Sequence, residues 1–111
     1  MDVGKQLTAL GDPTRRTIYE LVRANHGSVR ELTELVSVSQ PAVSQHLKVL
    51  READLVSVTR TGTRSCYSPK RDGMERLRLW IDQMWDDALD AFADAAQHQV
   101  STAETREEGP T

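Results

Sequence analysis

Two helical patterns separated by a very short connection constrain the fold of this chain most strongly. Both carry apolar residues at helical spacing: Leu32, Leu35 and Val36 in the first, and Val43, Leu47 and Leu50 in the second. Only residues 37–39 separate the patterns, which leaves room for a tight turn and nothing longer. The sequence therefore predicts one helix over residues 29–36, a turn, and a second helix that begins after Ser39.

Capping signals mark the starts of both helices. Ser28 is followed three residues later by Glu31, which is the spacing of a capping box. Ser39 suits the N-cap of the second helix. Pro41 is tolerated because it falls in the first helical turn, where its missing N–H has no partner to lose.

The N-terminal region predicts two further helices. Asp12 suits an N-cap and Pro13 suits the first helical position. The apolar face of that helix is formed by Ile18, Leu21 and Val22. Upstream, Leu7 and Leu10 predict a short helix from about residue 3 to residue 10.

After Leu55 the hydrophobic period changes from helical to extended. Strand-forming residues lie on both sides of a turn at Thr61 and Gly62: Leu55, Val56, Val58 and Thr59 before it, and Cys66 and Tyr67 after it. This pattern predicts a short β-hairpin. Arg60 and Arg64 lie beside its tip.

From about residue 74 to residue 97 the sequence predicts one long helix. Apolar residues follow one another at intervals of 4, 3, 4, 3 and 4, which is a heptad seam: Leu77, Ile81, Met84, Ala88, Ala91 and Ala95. Four large residues widen the seam: Trp80, Trp85, Leu89 and Phe92. Residues 98–111 show no apolar period, so we expect one domain over residues 3–97 and a disordered tail over residues 98–111.

The order of elements predicts a mostly α fold with a small β-hairpin wing, a winged helix-turn-helix. At about 100° per residue, with Val43 at zero, Pro41, Ser44, Gln45 and Lys48 fall between roughly 100° and 200°, away from the buried stripe. Gln40 and His46 lie at the two margins of that strip. Gln, Ser and Lys side chains suit base edges and phosphates in a DNA major groove. The alternative is an ordinary solvated helix face, and the basic hairpin that follows favours DNA.

Composition excludes several other classes of protein. The net charge is −3, but residues 1–73 carry a balance of +3 and residues 74–111 a balance of −6, so the two parts are expected to face different partners. No apolar run approaches the ~18 residues of a membrane span, and the N-terminus lacks an export pattern, which predicts a cytoplasmic protein without a membrane partner. No phosphate loop, catalytic carboxylate pair or activated nucleophile is visible, so we expect no enzyme and no cofactor.

Much of the chain resembles the ArsR-type winged-helix repressors. The resemblance covers about residues 7–97 and is carried by three stretches: "ALGDPTRRTIYELV", "VRELTELVSVSQPAVSQHLKVLREADLVSVTRTGTRSCYS" and the long final helix. It implies a homodimer that binds double-stranded DNA at a pseudo-palindromic operator and represses its own or a neighbouring promoter. The effector is unknown.

The resemblance also implies roles for individual residues. Together with the strip and the hairpin, it assigns nine residues to DNA binding: Ser39, Gln40, Pro41, Ser44, Gln45, His46, Lys48, Arg60 and Arg64. It assigns the dimer interface to the first and last helices, through Leu7, Leu10, Leu77, Trp80, Ile81, Met84, Trp85, Ala88, Leu89 and Phe92. His46 is equally compatible with a core position.

Metal sensing is not expected. Members of the family that sense metals use a cysteine pair before the turn, whereas this chain has Val36 and Val38 there. A second family site uses Asp and His pairs on the final helix, where this chain offers only Asp94 with His98. Cys66, the single cysteine, is expected to be packed or half-buried, and a redox-responsive repressor using Cys66 stays an alternative. A further alternative is a protein-interaction module on the same scaffold that does not bind DNA.

Overall fold

The computed structural model describes residues 3–107 of the chain, and the side chains of residues 3–98. Five helices and one hairpin follow in the predicted order: α1 (Val3–Gly11), α2 (Pro13–Arg23), α3 (Val29–Leu35), α4 (Gln40–Glu52), β1 (Val56–Thr61), β2 (Arg64–Pro69) and α5 (Arg71–Glu107). The fold is therefore mostly helical with a β-hairpin wing, as the sequence predicted. Among the described residues, no helix combines the length and the apolarity that spanning a membrane requires.

The predicted N-caps form, and each satisfies a backbone N–H that has no partner within its helix. Asp12 accepts from the backbone N–H of Arg15 at 2.9 Å, and Ser28 accepts from that of Glu31 at 3.1 Å. Ser39 accepts from the backbone N–H of Ala42 at 3.4 Å. These caps fix where α2, α3 and α4 begin, and hence the direction in which α4 leaves the turn.

One apolar core joins α2, α3, α4 and the start of β1. Its fully covered members include Ile18 on α2, Leu32 on α3, and the predicted α4 stripe of Val43, Leu47 and Leu50. Since these α4 residues point into the core, the opposite side of α4 remains in solvent.

The wing is an antiparallel hairpin closed by a two-residue loop. Thr61 pairs with Arg64, which leaves Gly62 and Thr63 as the loop residues. Gly62 has a φ of +63°, which a glycine adopts without the steric penalty of a side chain. The predicted hairpin is confirmed, with its loop one residue later than expected.

The structure divides into two compact units, one ending at Leu77 and the other beginning at Arg78. The first unit contains the helix-turn-helix, the wing and the first two turns of α5. The second unit contains the rest of α5, and every described side chain from residue 78 to residue 98 is exposed.

Helix α5 is longer at both ends than the sequence predicted. The helix runs through residue 107, beyond its predicted end at residue 97, while residues 108–111 lie outside the described part of the chain. Residues 103–107 include Ala, Glu and Arg, which favour a helix even where no apolar stripe marks one. The division into a domain over residues 3–97 and a tail stays a prediction.

Candidate nucleic-acid interface

The outer face of α4 presents unpaired polar groups. Pro41, Ser44, Gln45 and Lys48 are all exposed. Within the described part of the chain, the side chains of Ser44, Gln45 and Lys48 have no hydrogen-bond or ion-pair partner. Their donors and acceptors are therefore available to an external partner, as reading base edges requires.

The wing meets the start of α4 at a groove. The groove has a volume of about 510 Å³, and its lining includes Gln40 of α4, Arg64 of the wing and Arg30 of α3. Two guanidinium groups and an amide thus border one concave surface, which suits a phosphate-bearing ligand. Arg60, in turn, is exposed on β1 opposite Ser65.

Arg30 was missed by the sequence prediction. Its side chain is 91% exposed, and its only described ion pair, with Glu34, has a long N–O distance of 3.8 Å. Such a solvated pair contributes little, so it hardly restrains Arg30. Its position in the first turn of α3, two residues after the Ser28 cap, was the available signal, but nothing local indicates that α3 begins beside the wing.

His46 lies half-buried at the boundary between the strip and the core. It is close to Asp12, the N-cap of α2. The pKa of Asp12 is lowered from its ordinary value, chiefly by the hydrogen bond from the Arg15 backbone N–H, and also by the nearby Arg15 and His46 side chains. His46 is therefore neither a fully buried core residue nor a fully exposed one. It lies near the start of α2 and is partly accessible to solvent.

Cys66 corrects a sequence prediction. It is exposed, whereas a packed or half-buried thiol was expected. Side chains alternate between the two faces of β2, and those of Ser65 and Tyr67 are half-buried. The side chain of Cys66, which lies between them in the sequence, is therefore on the exposed face. The sequence identified the alternation but not which phase faces the core.

The predicted dimer residues fall into two classes. Leu7 on α1 is exposed, as are most of those on α5: Trp80, Ile81, Met84, Trp85, Ala88, Leu89 and Phe92. Leu10 instead packs partly against the core, and Leu77 is only 5% exposed within its own unit. Leu77 therefore has little surface left to offer a partner.

Comparison with known proteins agrees with this architecture. The family model described as "Bacterial regulatory protein, arsR family" matches residues 12–58, from the cap of α2 into the wing. A curated relative, the HTH-type transcriptional regulator Rv2034 of Mycobacterium tuberculosis, is 47% identical over 87 residues, which cover 77% of this chain and 79% of that protein. The chain belongs to the ArsR family.

Two further proteins extend the similarity. The transcriptional repressor SdpR of Bacillus subtilis is 35% identical over 66% of this chain and 81% of its own length. A solved structure described as a possible transcriptional regulator for arsenical resistance has a TM-score of 0.67 and 34% identity, and the match covers 82% of this chain and 95% of that one. These relatives are transcriptional regulators rather than enzymes. This chain is thus a winged helix-turn-helix transcriptional regulator.

Proposed function

We propose that two copies of this chain form a homodimer that binds a pseudo-palindromic operator and represses its own or a neighbouring promoter. The observation that carries the DNA-binding part is the outer face of α4, with exposed and unpaired Ser44, Gln45 and Lys48. In the proposed complex this face enters the major groove. Since operator DNA is the partner, the site of action is the cytoplasm.

The proposed roles follow from the chemistry of each group. Gln45 and Ser44 face base edges, where amide and hydroxyl groups discriminate between base pairs. Lys48, Arg60 and Arg64 contact phosphates, which adds affinity without sequence preference. Gln40, Pro41 and His46 border the contact, and the Ser39 cap places the α4 N-terminus, with its partial positive charge, near a phosphate.

The dimer is supported by the exposed apolar residues of α5. Large side chains such as Trp80, Trp85 and Phe92 are 42%, 64% and 72% exposed in the single chain. An apolar surface of this kind is typical of a protein interface. Two-fold symmetry would separate the two α4 helices by about 34 Å, one turn of DNA.

A fluorescence-anisotropy titration on the duplex upstream of the gene tests DNA binding. Affinity should fall steeply between about 50 and 300 mM salt, because bound phosphates release counterions. A flat salt response, or no binding to any duplex, would overturn the proposal and favour the protein-interaction module instead.

Substitutions separate base reading from phosphate contact. Ser44→Ala with Gln45→Ala should reduce the preference for the upstream duplex over a scrambled one by about tenfold to 100-fold, since a good base contact contributes ~1–3 kcal/mol of discrimination. Arg64→Ala should weaken both duplexes about equally and lower the salt slope by about 1. Arg51→Ala is the matched control: Arg51 is exposed in the last turn of α4, about 16 Å along the helix axis from Gln40. Reversal of the two patterns would place sequence reading in the wing.

A further inference from the structure

A second concave surface shares no lining residue with the groove between the wing and α4. This pocket has a volume of about 570 Å³ and is formed by α2, the end of β2 and the first turn of α5. Its lining consists of Tyr19, Arg23, Pro69, Lys70, Arg71 and Met74. A volume of this size is in the range of small-molecule sites in proteins.

One part of the lining is apolar. Pro69 is exposed and Met74 is half-buried against the core, whereas Tyr19 belongs to the lining but is only 3% exposed. Burial raises the pKa of the Tyr19 phenol above its ordinary value of 10.0, even though nearby Arg23 acts in the opposite direction. Tyr19 is therefore shielded from water by the protein itself, and Pro69 and Met74 provide the apolar surface that a compact apolar group can cover.

The remaining lining is cationic. Arg23, Lys70 and Arg71 border the pocket, and none of the described side chains that line it is acidic. Among the described residues, neither Arg23 nor Arg71 forms an ion pair. Two uncompensated guanidinium groups therefore lie beside an apolar wall, and guanidinium groups are suited to bidentate recognition of carboxylate and phosphate.

We propose that this pocket binds a small organic anion, a carboxylate or phosphate attached to a compact apolar body. The apolar body covers Pro69 and Met74, and the anionic group binds Arg23 and Arg71. An inorganic anion lacks the first contact and a neutral apolar molecule lacks the second. A ligand of this pocket thus meets two requirements, an apolar body and an anionic group, that can be tested separately.

Lys70 connects the pocket to the end of α4. Its ammonium group contacts the Asp54 carboxylate at 3.0 Å, and its backbone N–H donates to the carbonyl of Leu55. Gly73 of α5 packs so closely on the Asp54 carbonyl that a Cβ at position 73 has no room. A bound anion would compete with Asp54 for Lys70. An effect on DNA binding through this contact rests on the proposed function, whereas anion binding itself does not.

Calorimetric titration of the full chain, without DNA, tests the ligand class with four probes. Benzoate and phenyl phosphate carry both features, benzyl alcohol lacks the charge and inorganic phosphate lacks the apolar body. At least one of the first two should bind more than about tenfold tighter than the last two, and which one binds identifies the anionic group. Equal binding of benzyl alcohol, or no binding of either aromatic anion up to about 10 mM, would overturn the proposal.

A double substitution locates the site. Arg23→Gln with Arg71→Gln should weaken the binding of the preferred anion by at least about tenfold, because both charge-assisted contacts to the anionic group are lost. Arg16→Gln with Arg51→Gln changes the net charge equally at exposed positions outside the pocket and should leave affinity unchanged. Equal losses of anion affinity in both double variants would show a non-specific effect of net charge and would contradict binding in this pocket. Because these titrations contain no DNA, failure of the DNA-binding proposal would leave their result standing.

Discussion

The two units of this chain contain the same kinds of apolar residue but cover them very differently. In the unit that ends at Leu77, Ile18, Leu32 and Leu50 are 0% exposed. In the unit that begins at Arg78, Leu89 and Phe92 are 48% and 72% exposed. An apolar stripe in the sequence therefore indicates a helix face that is more stable when it is buried. The structure shows whether other elements of the same chain bury that face.

The difference has a physical cause. Elements that pack on several sides, as α4 packs against α2 and α3, bury an apolar stripe within one chain. A single helix has no second element of its own to pack on, and isolated helices gain little stability from propensity alone. The second unit therefore carries an unpartnered apolar surface, which is what the proposed homodimer would bury.

The largest expected effect concerns a leucine that is buried in the first unit, compared with an exposed leucine of the second unit. Leu50→Ala should destabilise the protein by about 2–5 kcal/mol, since it leaves a cavity in a fully covered core. Leu89→Ala should change the unfolding free energy by less than about 0.5 kcal/mol at protein concentrations low enough to keep the chain monomeric. Urea denaturation of both variants at several concentrations measures this. Equal destabilisation of the dilute chain would mean that Leu89 is covered within one protomer.

The next effect concerns association. Trp85→Glu places a charge in the proposed dimer surface and should raise the dimer dissociation constant by at least about 30-fold, because a central aromatic residue commonly contributes 2 kcal/mol or more. Gln83→Glu adds the same charge to the same exposed helix outside the proposed interface residues and serves as the control. Analytical ultracentrifugation gives both constants. A monomeric wild type, or an unchanged constant for Trp85→Glu, would contradict the dimer surface.

A smaller effect tests the local contacts that shape the first unit. Ser28→Ala removes the acceptor for the Glu31 backbone N–H and should lower stability by about 1 kcal/mol. Ser37→Ala is the matched control, since Ser37 is exposed and its side chain has no partner within the described residues. Thermal unfolding followed by circular dichroism compares the two. Similar losses would mean that the Ser28 cap does not stabilise α3.

The smallest effect depends on pH. Because burial raises the folded-state pKa of Tyr19 above 10.0, the stabilisation associated with its neutral form is fully present below pH 10.0 and is lost as the pH rises through the folded-state pKa. Tyr19→Phe should therefore unfold with a shallower alkaline dependence than the wild type. Urea midpoints measured from pH 9 to about pH 11 would show this, and parallel curves would contradict it.

Sequence reasoning succeeded where the determining interactions are local. The caps at Asp12, Ser28 and Ser39 each bind an N–H three residues ahead, so a short stretch of sequence fixes them. It failed at Cys66, whose exposure depends on which phase of β2 faces the core. Likewise, α5 extends to residue 107, past the predicted end at residue 97, where no apolar period marks a helix.

The candidate site divides in the same way. The polar strip of Ser44, Gln45 and Lys48 follows from the 3.6-residue period, which also fixes the buried stripe on the other side of α4. The meeting of Arg30 with Gln40 and Arg64 at one groove depends on contacts between elements remote in sequence. No local pattern contains that information.

Local sequence patterns were sufficient to predict the order of helices and wing, the starts of α2, α3 and α4, and the side of α4 that faces outward. Hydrogen bonds and periodicities that span only a few residues fix all of these. The burial of Leu77, the exposure of Cys66 and the shared pocket lining became visible only in the folded chain. That lining includes Tyr19, Arg23, Arg71 and Met74. Those outcomes depend on how distant segments pack, because the burial of a side chain is set by its neighbours in space rather than by its neighbours along the chain.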